Sequence, residues 1–93
     1  MERKLLTPDE IGAAGLGDWA VDGETLKRRF KFENFAEALA FVNKVGEIAE
    51  SLDHHPDITF GWGYAEISTT THDRGGITEF DLTLARRINA LKT

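Results

Sequence analysis

The sequence contains no cysteine, only two prolines and no long apolar run. Without cysteine, the chain forms no disulfide and offers no thiolate as a nucleophile or metal ligand. No segment approaches the roughly 20 apolar residues of a membrane-spanning helix. The first residues, Met1–Leu6, lack the apolar stretch that is typical of a signal peptide. These absences favour a cytoplasmic protein without a membrane partner.

The sequence also has fewer basic than acidic residues. Lysine and arginine total 11 against 16 acidic residues, so the net charge is −5. Nucleic-acid binding depends on clustered basic side chains, and we therefore expect no nucleic-acid partner. The 93 residues, 41 % of them hydrophobic, predict a single domain over residues 1–93. Because so small a domain buries only about 60–65 % of its unfolded surface, we expect a homo-oligomer.

Three segments have the sequence features of helices. Thr7-Pro8-Asp9-Glu10 is typical of a helix start with a capping box. From Phe35 to Leu52, apolar residues recur in steps of three and four, which predicts a long second helix. A third helix is predicted after Thr78, a candidate N-cap, with Asp81 at the capping-box position.

Two pairs of strands are predicted between the helices: Trp19–Val21, Leu26–Phe32, Ile58–Trp62 and Ala65–Thr71. Along the second strand, apolar and charged residues alternate, with Arg28 as the exception, which indicates one buried and one wet face. The order is αββαββα. It predicts an α+β fold, a four-stranded antiparallel sheet with helices packed on one face.

All three histidines lie at the ends of predicted elements. His54 and His55 follow the second helix, where Pro56 disfavours helical geometry at the preceding residue. His72 lies at the end of the fourth strand. Histidine can act as an acid or a base because its ordinary pKa is about 6.5. Glu50, four residues before His54, is placed to orient an imidazole.

Five further residues are candidates for the same site. Asp53 adjoins the His-His pair, although the sequence leaves its direction open. Trp62 has glycine on both sides, so it is either a core residue or an exposed stacking platform for a flat ring. Thr70 and Thr71 offer hydrogen bonds near the third histidine, and Asp81 is either a capping partner or part of the site.

Two other interpretations of the histidines remain open. They could be ordinary surface residues in loops. Three histidines with a carboxylate could also bind zinc. Neighbouring histidines are poor ligands for one ion, however, and the sequence has no helical i, i+4 or strand i, i+2 histidine pair. We therefore predict a site without metal.

Together these residues resemble the pterin-4a-carbinolamine dehydratase family, whose animal members also serve as dimerisation cofactors of a homeodomain transcription factor. The family pattern runs from an acidic residue through His-His-Pro and an aromatic residue to a histidine and an aspartate. This chain matches it, with the family's spacing, at Glu50, His54-His55-Pro56, Trp62, His72 and Asp81. The family's length and αββαββα order match nearly the whole chain.

The resemblance implies a lyase in tetrahydropterin recycling, which converts 4a-hydroxytetrahydropterin to quinonoid dihydropterin and water. It also implies a homodimer or homotetramer that needs no cofactor, since the pterin is the substrate. By the same resemblance, His54 and His72 would be the acids near the 4a-hydroxyl group. His55 would bind the ring and act as the base, and Glu50 and Asp81 would orient imidazoles or shape the pocket.

The chain departs from the family at two positions. Ile58 stands where members often have an aromatic residue, and Phe80 stands where some have arginine, which is expected to remove a charge from the pocket edge. Two alternatives therefore stay open beside the dehydratase. One is a protein-binding or dimerisation module on the same fold, and the other is a dehydratase-like enzyme that acts on another pterin.

Overall fold

The computed structural model describes residues 1–91. Its elements are helix α1 (Pro8–Ala13), strands β1 (Ala20–Asp22) and β2 (Thr25–Lys31), helix α2 (Phe35–Leu52), strands β3 (Asp57–Gly61) and β4 (Tyr64–Thr69), a 3₁₀ turn (His72–Arg74) and helix α3 (Glu79–Leu91). The predicted αββαββα order is confirmed, with the 3₁₀ turn added before the last helix. None of the helices within this range is long and apolar enough to cross a membrane.

The four strands form one antiparallel sheet in the order β1-β2-β4-β3. Each hairpin pairs two consecutive strands, and pairing of β2 with β4 joins the two hairpins. Buried apolar side chains of the two central strands share one face: Leu26, Phe30, Ala65 and Ile67. Helix α2 packs on β3, β4 and α3. The predicted α+β fold is therefore confirmed.

Arg28 is the charged side chain that the alternation places on the buried face of β2. Its guanidinium lies over the Phe30 ring, 4.4 Å from the centroid, and Nη1 donates to Asn89 Oδ1 at 2.8 Å. Trp19 Nε1 donates to the same amide oxygen at 2.7 Å. These contacts give the guanidinium a stacking surface and one acceptor, whereas Nε is buried without a hydrogen-bond partner within residues 1–91.

Local chemistry accounts for several element ends. The predicted capping box of α1 is present, because Thr7 Oγ1 accepts from Glu10 N at 3.2 Å and Glu10 Oε1 accepts from Thr7 N at 2.9 Å. The backbone N–H of Thr7 lowers the pKa of Glu10. The α2 bounds agree with the prediction. Strand β4 ends two residues before its predicted end because Thr71 instead forms an isolated bridge with Gly76.

Candidate active site

Helix α2 ends in a turn after which the neighbouring side chains of His54 and His55 point in different directions. Asp53 adopts a left-handed conformation with φ 50° and ψ 43°. The N–H of Asp53 donates to Glu50 O at 3.2 Å, and that of His54 donates to Ala49 O at 3.1 Å. This is a Schellman motif, in which glycine is usual, so a non-glycine residue here costs about 1 kcal/mol. After the turn, His54 is 7 % exposed, whereas the His55 side chain is 55 % exposed.

The three histidines meet at one cleft of about 290 Å³. Its lining comes from the N-terminal segment, the end of α2 and the region after β4: Arg3, Asp53, His54, His55, Thr70, Thr71, His72 and Asp73. This volume is near the lower end of small-molecule sites, about 300 Å³. Six of the nine predicted site residues thus line a single cleft.

A buried carboxylate lies behind His54. Asp81, in the first turn of α3, is fully buried, and its Oδ1 accepts from His54 Nε2 at 2.6 Å. Thr69 Oγ1 donates to the same oxygen at 2.6 Å. The other oxygen, Oδ2, accepts from Thr71 Oγ1 at 2.8 Å and from Thr78 N at 2.9 Å. These donors compensate the cost of burying a charge.

The contact with Asp81 also fixes the His54 ring. A carboxylate at Nε2 selects the tautomer that carries its proton there. No residue among 1–91 bonds to Nδ1 of His54, and this nitrogen is not sealed from solvent. Nδ1 is therefore the ring nitrogen that can meet a ligand in the cleft.

Glu50 holds the other member of the histidine pair. Its Oε2 is hydrogen bonded to His55 Nε2, and both side chains are exposed. The sequence placed Glu50 beside His54 at helical spacing. The left-handed turn at Asp53 changes that relation, so that His55 becomes the partner. An exposed pair of this kind contributes only about 0–1 kcal/mol to stability, and its main effect is to orient the ring.

Trp62 lies outside the cleft. It occupies the turn between β3 and β4 and is 74 % exposed, so it is not a core residue. The His-His pair precedes β3, whereas Trp62 follows it. At about 3.3 Å per residue, the strand separates them by roughly 15 Å. Trp62 is therefore not among the residues that line this cleft, and its stacking role stays a prediction.

An ion pair that the sequence did not predict forms the edge of the cleft. Arg3 donates to Asp73 from Nη2 at 2.6 Å and from Nε at 3.2 Å. Its guanidinium carbon lies 5.4 Å from the centroid of Phe80, whose ring lies 5.5 Å from the His54 ring. A cation is thus present at the edge although residue 80 is phenylalanine. Nothing in the sequence links Arg3 to a residue 70 positions away.

The ion pair shifts the titration of both partners. Hydrogen bonds from Arg3 lower the pKa of Asp73, and the hydrogen bond to Asp73 raises the pKa of Arg3. A carboxylate with a lowered folded-state pKa stabilises the fold above the ordinary aspartate pKa of about 3.9. That contribution is lost as the pH falls through the folded-state pKa. The pair is therefore fully charged near neutral pH.

One threonine of the Asp81 network, Thr69, was missed, whereas Thr71 was among the predicted site residues. Thr69 and Thr71 are two residues apart at the end of β4, and both bond to Asp81. Thr70, between them, donates to Glu24 O at 2.6 Å instead. The strand alternation predicts that the first and third threonines share a face. The sequence alternation could therefore have placed Thr69 beside Thr71 in the site.

The described part of the chain, residues 1–91, has no group of three histidine or acidic side chains arranged to hold a metal ion. The two imidazole–carboxylate pairs, His54 with Asp81 and His55 with Glu50, are arranged for proton transfer. The absence of a metal requirement stays a prediction.

A family model described as pterin 4 alpha carbinolamine dehydratase matches residues 4–91. The chain belongs to this family. A relative from Rubrobacter xylanophilus, named "Putative pterin-4-alpha-carbinolamine dehydratase", is 52 % identical over 80 residues, which cover 85 % of this chain and 75 % of the relative. The resemblance inferred from the histidine motif is thus confirmed.

Two solved structures share the fold. The crystal structure of a transcriptional coactivator/pterin dehydratase from Brucella melitensis has a TM-score of 0.87 and 37 % identity, and the match covers 94 % of this chain and 97 % of that one. A pterin dehydratase-like protein, described as a RuBisCO assembly factor in the alpha-carboxysome, has a TM-score of 0.64 and 27 % identity over 78 % of this chain and 84 % of that one. Because these descriptions differ, the site and not the fold must support a function.

Proposed function

We propose that this protein is a lyase that dehydrates a 4a-hydroxytetrahydropterin to quinonoid dihydropterin and water. One observation carries the proposal. Three imidazoles surround one cleft, and carboxylates hold two of them, Asp81 at His54 and Glu50 at His55. Hydroxide is a poor leaving group, so the reaction needs a positioned acid and a nearby base.

The reaction balances without an oxidant, a reductant or another cofactor. The C4a–O bond breaks, and an acid gives a proton to the departing oxygen to form water. The N5–H bond also breaks, a base takes that proton, and the remaining electron pair forms the C4a=N5 double bond. The protein therefore returns to its starting proton count once the acid and the base have re-equilibrated.

The division of roles follows the family resemblance, and the two imidazole–carboxylate pairs are compatible with it. His54 and His72 are the proposed acids at the 4a-hydroxyl group, and His55 is the proposed base at N5. Asp81 fixes the His54 ring through Nε2, which leaves Nδ1 as the ring nitrogen that exchanges a proton with the substrate. His55, bonded to Glu50 through Nε2, keeps Nδ1 as an acceptor, and its exposure permits proton exchange with water.

The wild-type protein should accelerate the dehydration of freshly generated 4a-hydroxytetrahydropterin, measured by stopped-flow absorbance. His55→Ala should lower kcat about 10²-fold, at the lower end of what a positioned acid or base contributes. Its unfolding midpoint should change little because the side chain is exposed.

The matched control is Asn43→Ala, an exposed position on α2 that does not line the cleft. This variant should keep the wild-type rate. A wild-type protein that does not exceed the uncatalysed rate would overturn the proposal and favour the protein-binding alternative.

We also propose that the chain acts as a homodimer or homotetramer. Several large apolar side chains are exposed. The ring centroids of Phe35 and Phe60 lie 5.5 Å apart, and the exposed Trp62 lies in the turn that follows β3. Leu39 is exposed one turn further along α2. Such clusters mark protein contacts.

Sedimentation should show a homo-oligomer, and Leu39→Asp/Trp62→Ser should yield a folded monomer. A monomeric wild-type protein would contradict the proposal.

A further inference from the structure

The N-terminal segment, residues 1–6, lies against the start of α3. The N–H of Leu6 donates to Ile77 O at 2.9 Å, which fixes the segment just before that helix. Thr83 Oγ1 donates to Met1 Sδ at 3.2 Å, so the other end of the segment is also in contact with α3. Between these two contacts, Arg3 reaches the edge of the histidine cleft.

Two neighbours restrict the Arg3 guanidinium. Asp73 accepts from both Nε and Nη2, and the Phe80 ring lies under the guanidinium carbon. A two-point ion pair on an aromatic surface fixes the plane of the group. The remaining nitrogen, Nη1, has no hydrogen-bond partner within residues 1–91. A fixed donor with no protein acceptor is thus presented at the cleft.

We propose that Arg3 is a substrate-positioning residue, whose Nη1 donates to an acceptor oxygen of the pterin, either the ring carbonyl or a side-chain hydroxyl group. This inference rests on the proposed function, because it takes a pterin as the ligand of the cleft. Asp73 and Phe80 act through Arg3 by holding its guanidinium in place. The N-terminal segment thereby supplies the edge cation that position 80 of this chain does not carry.

Arg3→Ala should raise KM for the 4a-hydroxypterin about tenfold, the lower range for losing a hydrogen bond from a charged donor. The value of kcat should change less than about twofold, because Arg3 transfers no proton to the oxygen at C4a or from N5. Arg3→Lys should give an intermediate KM, since lysine keeps the charge but not the planar fork. Arg74→Ala, an exposed neighbour of Asp73 outside the cleft lining, is the control and should keep the wild-type KM.

A double-mutant cycle separates positioning from a general effect of charge. Asp73→Asn should raise KM, and the double variant Arg3→Ala/Asp73→Asn should be no worse than Arg3→Ala, because Asp73 acts through Arg3. Fully additive effects on KM, or an unchanged KM in Arg3→Ala beside an active wild-type protein, would overturn the inference.

Calorimetric binding of oxidised biopterin, which does not react, distinguishes this inference from the proposed function. If the wild-type protein binds biopterin but does not accelerate dehydration, the proposed function fails, and a loss of affinity in Arg3→Ala still supports the positioning role. If the wild-type protein is active and Arg3→Ala binds biopterin equally well, the positioning role alone fails. A wild-type protein that neither binds nor reacts overturns both.

Discussion

Asp81→Asn is expected to give a folded protein whose kcat is lowered about 10³-fold, somewhat less than the roughly 10⁴-fold loss for the same change behind the histidine of a serine-protease triad. Asp81 is fully buried and accepts from His54 Nε2. Asparagine has nearly the same shape but presents one acceptor and one donor. The substitution therefore changes the proton pattern of the site more than its geometry.

The direction of the effect follows from the four donors around Asp81. Thr71 Oγ1 and Thr78 N donate to Oδ2, so the amide oxygen of asparagine belongs on that side. The amide NH₂ then faces His54 Nε2 and must donate to it. The ring proton moves to Nδ1, and a neutral amide replaces the carboxylate at Nε2. Stability should also fall by about 1–3 kcal/mol, because hydrogen bonds to a charged group are weakened.

Glu79→Gln is the matched control for this prediction. Glu79 lies in the same turn of α3, and its replacement also removes a negative charge. It is partly exposed and forms a long ion pair with Arg86 Nη1 at 3.8 Å. The control should keep the wild-type kcat and unfolding midpoint. Imidazole ¹⁵N shifts would report the His54 tautomer. If Asp81→Asn kept full activity and the original tautomer, Asp81 would be a helix cap without a role in the reaction.

Interactions between near neighbours in the chain could be predicted from the sequence. The apolar steps between Phe35 and Leu52 gave the bounds of α2, and Thr7 with Glu10 formed the predicted capping box. The meeting of the three histidines could also be predicted from topology alone, because the C-terminal ends of α2 and β4 lie on the same side of the fold. Each of these features depends on local periodicity or on which strand end adjoins which helix end.

Other features of the site depend on geometry that no spacing encodes. Because Asp53 adopts a left-handed conformation, Glu50 bonds to His55 and not to His54, the partner that helical spacing had indicated. Trp62 follows β3 and so does not line the cleft that the histidines share, a separation that the sequence spacing did not show. Arg3 reached Asp73 through a non-local contact, which depends on the path of the N-terminal segment along α3.

Leu84→Ala is expected to lower the free energy of unfolding by about 2–5 kcal/mol, the usual range for truncating a buried leucine. Leu84 lies on α3, is fully buried and belongs to the main core cluster. A domain of this size is stable by about 5–15 kcal/mol in total, so the loss is a large fraction. With about 4–8 °C per kcal/mol, the melting temperature should fall by at least about 8 °C. Leu84→Met, which nearly conserves volume, should cost less than about 1.5 kcal/mol.

The activity of Leu84→Ala tests whether α3 supports catalysis only by carrying Asp81. Leu84 lies one turn after Asp81 and does not line the cleft. At a temperature where the variant is fully folded, kcat should therefore equal that of the wild type, while urea unfolding shows the loss of stability. A fall in kcat at that temperature would mean that core packing sets the distance from Asp81 to His54. Comparison with Asp81→Asn would then separate a misplaced carboxylate from a missing charge, because only the latter reverses the His54 tautomer.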